Sequence, residues 1–131
     1  MTNMLIITAI HLMALGQVES GDNDHAIGLK GEVTRCQMLP SVWRATLREM
    51  DLLKVSMKPT RWADAKIVVS EIWCKRVLTF EQKEKRRPTN RELYLLWHCP
   101  ARIDKPTKND KDMAERFSNL VDKFSKKKGV K

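Results

Sequence analysis

Glycine and proline are scarce, 5 of each in 131 residues, which excludes collagen-like and low-complexity chains. The three cysteines, Cys36, Cys74 and Cys99, lie far apart and form no CxxC pair, so neither a zinc ribbon nor a dense disulfide framework is indicated. An odd count leaves at least one thiol free unless it pairs between chains. His11, His25 and His98 are scattered without HExxH spacing, and no glycine-rich phosphate loop is present; no metal and no cofactor is expected. The first apolar run, Met4 to Leu15, is well short of the ~20 residues of a membrane span. Met1-Thr2-Asn3 brings no basic n-region and His11 interrupts the run, so neither a span nor a secretory leader is expected. No repeat of fixed period is visible, which argues against a solenoid.

What is present is a chain that is 42% hydrophobic and 31% charged, a composition suited to one globular domain of this length. Its charge is uneven. Residues 1–60 hold 6 Lys+Arg against 6 Asp+Glu, whereas residues 61–131 hold 19 against 10, so the formal +9 belongs to the C-terminal half. Such a field attracts polyanions of any kind, nucleic acid, anionic lipid and phosphate-bearing wall polymers included. The Lys/Arg-rich stretch at 83–91 and the tail read first as a solvated face.

Hydrophobic periodicity predicts an all-α chain. Residues 4–19, with Asn3 as cap and Leu5, Ile6, Ala9, Ile10, Leu12 and Met13 on the apolar face, read as a buried helix ending near Glu19-Ser20-Gly21. Gly21 to Leu39 holds Gly21, Gly28 and Gly31 and no helical period, which predicts an irregular segment with at most a small hairpin. Ser41 is the expected cap of a helix over 42–53 that buries Val42, Trp43, Leu47 and Met50. After Pro59, a helix of over 20 residues starts at Thr60, striped by Trp62, Ala65, Val69, Ile72, Trp73, Val77 and Phe80 and closed by Lys85-Arg86-Arg87-Pro88. Thr89 with Glu92 is a capping-box signature for a short helix with Leu93, Leu96 and Trp97 inside, stopped by Pro100. Asn109 is the expected cap of a last helix striped by Met113, Phe117, Leu120, Val121 and Phe124, fraying from Lys126.

Glu19 is the first candidate for chemistry. It falls at the C-terminal end of an apolar helix, where the helix dipole disfavours a carboxylate. A carboxylic acid that keeps its proton near neutral pH is what glycosidic cleavage requires, because the leaving oxygen must be protonated as the bond breaks. The plainer reading is a solvated helix-end glutamate.

Val18-Glu19-Ser20-Gly21, then Ala26-Ile27-Gly28 and Gly31-Glu32, then Cys36-Gln37-Met38-Leu39-Pro40 with Val42-Trp43, resemble the lytic transglycosylases and goose-type lysozymes. In those proteins Glu-Ser-Gly carries the catalytic acid, a Gln-Ile-Pro-like segment lines the sugar cleft, and a Tyr-Asn-Ala-Gly-like helix end completes it. Trp97-His98-Cys99-Pro100 is the candidate third element, and the resemblance covers residues 4–121. It implies a lysozyme-like catalytic domain over 1–125 with a basic tail at 126–131, acting as a monomer on peptidoglycan glycan strands. It makes Glu19 the general acid and then base on the MurNAc-GlcNAc bond, and it places Ser20, Glu32, Gln37, Tyr94, Trp97 and His98 at the substrate.

The sequence departs from the family pattern at three points. Asp22 stands where the family has a second glycine after Glu-Ser, Thr34 replaces the glycine of a Gly-Leu-Met-Gln-like segment, and Tyr-Asn-Ala-Gly has become Trp-His-Cys-Pro. Tyr94 is a candidate for the missing tyrosine hydroxyl and His98 for the asparagine; the plain alternatives are core and helix-end roles. Asp22 and Asp24 are the nearest further carboxylates that an inverting or conventional retaining mechanism would need. The resemblance implies a chemistry that needs one glutamate and yields an anhydro sugar, or a lysozyme if water enters first. Without an export signal, the chain suits a phage-type lysin held in the cytoplasm until the membrane opens, or a periplasmic or extracellular enzyme whose signal lay upstream. The competing readings are a basic helical nucleic-acid-binding protein, favoured by a pI near 9.7, and an inactive sugar-binding relative.

Overall fold

The computed structural model describes residues 7–127. The chain is all-α there: α1 Ala9–Ser20, α2 Pro40–Glu49, α3 Trp62–Glu84, α4 Asn90–His98, a 3-10 turn Pro100–Arg102, and α5 Lys108–Lys127. Between α1 and α2 the expected irregular segment contains one isolated antiparallel bridge, Val33 to Met38. The residues form two compact units, one of Gly16–Ile72 and one that holds the chain through Leu15 and from Trp73 onward.

Helix starts depart from the sequence reading in an informative way. Residues 4–6 and the Asn3 cap lie outside the described residues, as does the tail from 128. Helix α1 begins at Ala9 because Thr8 and His11 cap it reciprocally. The Thr8 amide donates to His11 Nδ1 at 3.0 Å, and Thr8 Oγ1 faces the His11 amide at 3.5 Å. The histidine that interrupts the apolar run thus serves the helix start. Leu12, Ala14, Leu15 and Val18 are the buried face, while Met13 is exposed.

Helix α2 starts one residue before Ser41, with Pro40 in its first turn and Leu39 as an N-cap without side-chain bond; proline's fixed φ and missing N–H suit that place. It ends at Glu49 and not at 53, because Asp51 is left-handed (φ 60) and the amides of Leu52 and Asp51 turn back onto the carbonyls of Leu47 and Arg48, a closing motif that satisfies orphan carbonyls. Helix α3 buries Ala65, Val68, Val69, Trp73, Val77 and Phe80; of the predicted stripe Trp62 and Ile72 are only half-buried, and Val68 is added. Each large side chain so buried contributes about 1.5–3 kcal/mol.

The Thr89–Glu92 capping box of α4 is complete on both sides. For α5 the cap is Thr107 and not Asn109. Thr107 Oγ1 accepts from the Asp110 amide at 3.0 Å, and Asp110 Oδ2 accepts from the Thr107 amide at 2.9 Å. Asn109 sits inside the first turn and donates to Met113 Sδ. Helix α5 continues through Lys126, where fraying was expected.

Candidate functional site

Within the Gly16–Ile72 unit, α1 delivers Glu19 and Ser20 to its last turn. Both are partly buried. The chain then turns through two consecutive left-handed residues, Gly21 (φ 65) and Asp22 (φ 64), whose amides reach back to the carbonyls of Gln17 and Gly16. Ser20 is a cross-link: its hydroxyl donates to the Arg35 carbonyl at 2.7 Å and accepts from the Asn23 amide at 3.0 Å. The end of α1 is thereby tied to the segment that carries Gln37.

That segment is a tight turn. Val33 and Met38 exchange both backbone hydrogen bonds, at 2.8 and 2.7 Å, and the four residues between them include left-handed Thr34 (φ 69) and Gln37 (φ 60). A β-branched residue in this region is a genuine outlier, costing about 1–3 kcal/mol that the surroundings must offset. Thr34 is fully buried, its amide carbonyl accepts from the Gln37 amide, and its Oγ1 accepts from the Cys36 amide at 2.9 Å. Such conformations concentrate at functional sites.

Gln37 donates through Nε2 to the carbonyls of Ala26 (3.3 Å) and Thr34 (3.1 Å), and Glu32 Oε1 accepts from the Lys30 amide at 2.8 Å. A Cβ added to Gly28 would collide with the side-chain oxygens of both Glu32 and Gln37. With glycine at 28, the side-chain oxygens of these two candidate residues converge on its backbone. Both also perform the loop-holding work that is their plainer role.

Arg35 and Cys36 are the residues that the sequence reading missed. Arg35 Nε and Nη2 donate to Asp24 Oδ1 and Oδ2 at 2.7 and 3.0 Å, Nη1 stands 3.9 Å from Asp22 Oδ1, and Cζ lies 4.1 Å from the Trp62 ring centroid, within cation–π range. Its aliphatic stem crowds Gly16, where a Cβ would meet Arg35 Cδ at 2.8 Å. The Arg35 hydrogen bonds hold the Asp24 carboxyl below its ordinary range. Cys36 is fully buried, and burial together with the charge of Glu19 pushes its thiol up, so it stays protonated.

Tyr94, Trp97 and His98 belong to the other unit. Tyr94 has no exposed surface and Trp97 is 6% exposed, which corrects the expectation that the two meet a substrate. Tyr94 packs on Phe117 at 5.6 Å and its hydroxyl donates to Met113 Sδ at 3.6 Å; Trp97 lies 5.9 Å from Trp73. His98 is half-buried, stacked on Tyr94 at 5.2 Å, with Nε2 3.7 Å from Asp110 Oδ1. Asp110, 2% exposed, also accepts both prongs of Arg102 at 3.0 Å, and those bonds hold its carboxyl far below the ordinary range. Burial explains these three residues as packing around the α4–α5 contact.

Among the described residues no group of three or more His, Cys, Asp and Glu side chains could hold a metal ion, and no helix is long and apolar enough to cross a membrane. Compared with protein-family models, curated proteins and solved structures, the chain matches none.

Proposed function

We propose that this protein is a peptidoglycan-cleaving glycosidase of the lytic transglycosylase type, with Glu19 as acid and then base. The observation that carries the reading is the backbone at Asp22 and Thr34. Both stand where the resembled family has glycine, and both adopt the left-handed conformation that glycine serves (φ 64 and 69). At these two departures the residue differs while the conformation favours glycine. The Ser20 tether to the Arg35 carbonyl supports the same reading, since it joins the Glu19 helix end to the Gln37 turn.

The Glu19 carboxyl gives its proton to the glycosidic oxygen as the C1–O bond breaks, and the sugar's own N-acetyl oxygen assists at C1. The carboxylate then takes the proton of the 6-hydroxyl, whose oxygen bonds to C1 and closes the anhydro ring; the carboxyl is restored and no water is consumed. Asp24 is committed to Arg35, which favours a chemistry that needs one carboxylate over an inverting pair. Gln37 and Glu32 shape the loop around Gly28 and offer their remaining polar capacity to an N-acetylated sugar. The basic half of the chain supplies attraction to the anionic wall, and to polyanions in general.

Digestion of purified peptidoglycan followed by mass analysis of the released fragments tests the reaction type. Fragments that end in the anhydro sugar support it. Hydrated ends alone make the protein a lysozyme, and DNA binding without any wall cleavage favours the nucleic-acid reading.

A further inference from the structure

A cleft of about 370 Å³ opens in the unit that carries α4 and α5, between the C-terminal half of α3, the start of α4 and the 3-10 turn. That volume lies in the range of small-molecule sites, about 300–1,000 Å³. Its apolar lining comes from Phe80, Leu96, Pro100 and Ile103. Two arginines also line it, and they differ in how their charge is met. Arg86 grips Glu92 with both prongs at 2.8 Å and stacks on Phe80 at 5.1 Å. Arg76 is half-buried and, among the described residues, has no carboxylate partner: Nη1 donates to the carbonyls of Leu96 (3.2 Å) and Trp97 (2.9 Å), and Cζ lies 5.5 Å from the Trp97 ring.

Both of those bonds use Nη1. The Nε–Nη2 edge, the fork that matches a carboxylate bidentately, makes no hydrogen bond among the described residues. Burial without a counter-ion pushes the Arg76 guanidinium below its ordinary range, the direction an anion would reverse. Lys75, Lys83, Glu84 and Asp104 also line the cleft. We infer that this cleft binds a small amphiphilic carboxylate, with its carboxylate on the Nε–Nη2 edge of Arg76 and its apolar body against Phe80, Leu96 and Ile103. The site is separate from the Glu19 chemistry and does not depend on it.

Octanoate is the probe and 1-octanol, with the same chain and no charge, is the control, titrated by calorimetry and by chemical-shift mapping on the full chain. Octanoate is expected to bind about tenfold or more tightly than octanol, the scale of a charge-assisted bond to a partly desolvated arginine. Arg76→Gln removes that advantage and leaves the octanol affinity in place. Because Arg76 also serves the α4 carbonyls, Thr79→Trp gives a second test: it changes an exposed residue of the lining and fills the cleft, so it abolishes binding of both probes in a folded chain. Octanoate binding no tighter than octanol, no binding of either by the wild type, or octanoate binding unchanged by Thr79→Trp overturns the inference.

Discussion

Arg35 holds both carboxylate oxygens of Asp24, at 2.7 and 3.0 Å, beneath the Trp62 ring. This one guanidinium fixes the loop that leaves α1 against the turn that carries Gln37. Asp24→Asn keeps the shape and removes the charge, and is expected to cost about 1.5–3 kcal/mol, the range of a hydrogen-bonded charged group. The sign with pH follows from the lowered Asp24 value. The pair's contribution is full above the ordinary value of 3.8 and is lost as pH falls through the folded-state value. Urea titrations of wild type and Asp24→Asn between pH 7 and pH 3 check this, with the gap between them narrowing on acidification.

Asp22→Gly and Thr34→Gly test the reading of these positions as glycine sites. Glycine relieves the left-handed strain, about 1–3 kcal/mol, but adds about 0.4–1 kcal/mol of chain entropy to be lost; at Thr34 it also removes the Cys36 amide's acceptor, about 1 kcal/mol. Asp22→Gly is therefore neutral to stabilising, Thr34→Gly stays within about 1 kcal/mol of wild type, and Asp22→Val is destabilising because a β-branched residue replaces a tolerant one. Thermal melts decide the order, and Asp22→Val as stable as Asp22→Gly would contradict it.

Much of the fold was legible because it is written locally. The Thr89–Glu92 box and the α3 stripe are contiguous patterns, and the structure has both. The Thr107–Asp110 box is equally local, but its fourth residue is Asp where the signature has Glu or Gln, and Asn109 competes as a cap by type. At α1 the apolar run continues across Thr8, so periodicity hid the residue that begins the helix. The end of α1 at Glu19-Ser20-Gly21 was legible because it lies in one stretch. Arg35 with Asp24 joins two loop residues that share no period, and nothing in their spacing announces a contact. Tyr94 and Trp97 were misplaced for a different reason: Leu93 through Trp97 are all buried, and a helix enclosed on every side has no polar face by which to tell a core ring from a cleft ring.

Thr8 and His11 give α1 a start that responds to pH. His11 Nδ1 accepts the Thr8 amide, so the ring must be neutral, and burial lowers its value from 6.5. Stability from this cap is present above pH 6.5 and declines as pH falls through the lower folded-state value. Thr8→Ala is expected to cost about 0.5–2 kcal/mol at pH 7.5. Amide exchange in the first turn of α1, compared at pH 7.5 and pH 5.5 after correction for intrinsic rates, is expected to show faster opening at the lower pH.

Asp110 joins Thr107, Arg102 and His98 at the start of α5. Replacing it by Ala leaves the Thr107 amide and the Arg102 fork without their acceptor, at an expected cost of about 1.5–3 kcal/mol, the range of hydrogen bonds to a charged group. Arg102→Ala leaves the buried Asp110 carboxylate without its guanidinium partner and is expected to lower the urea midpoint as well. Equal midpoints for Asp110→Ala and wild type in urea would remove this cluster from the account.

The central claim is that Glu19 carries the chemistry, and the most direct measurement is the clearing of a purified peptidoglycan suspension by wild type and Glu19→Gln at matched concentration, with circular dichroism confirming that both are folded. An amide cannot donate the proton, and a loss of about 100-fold or more is predicted, the lower end of what acid–base catalysis contributes. Clearing by Glu19→Gln within a few-fold of wild type would contradict the account.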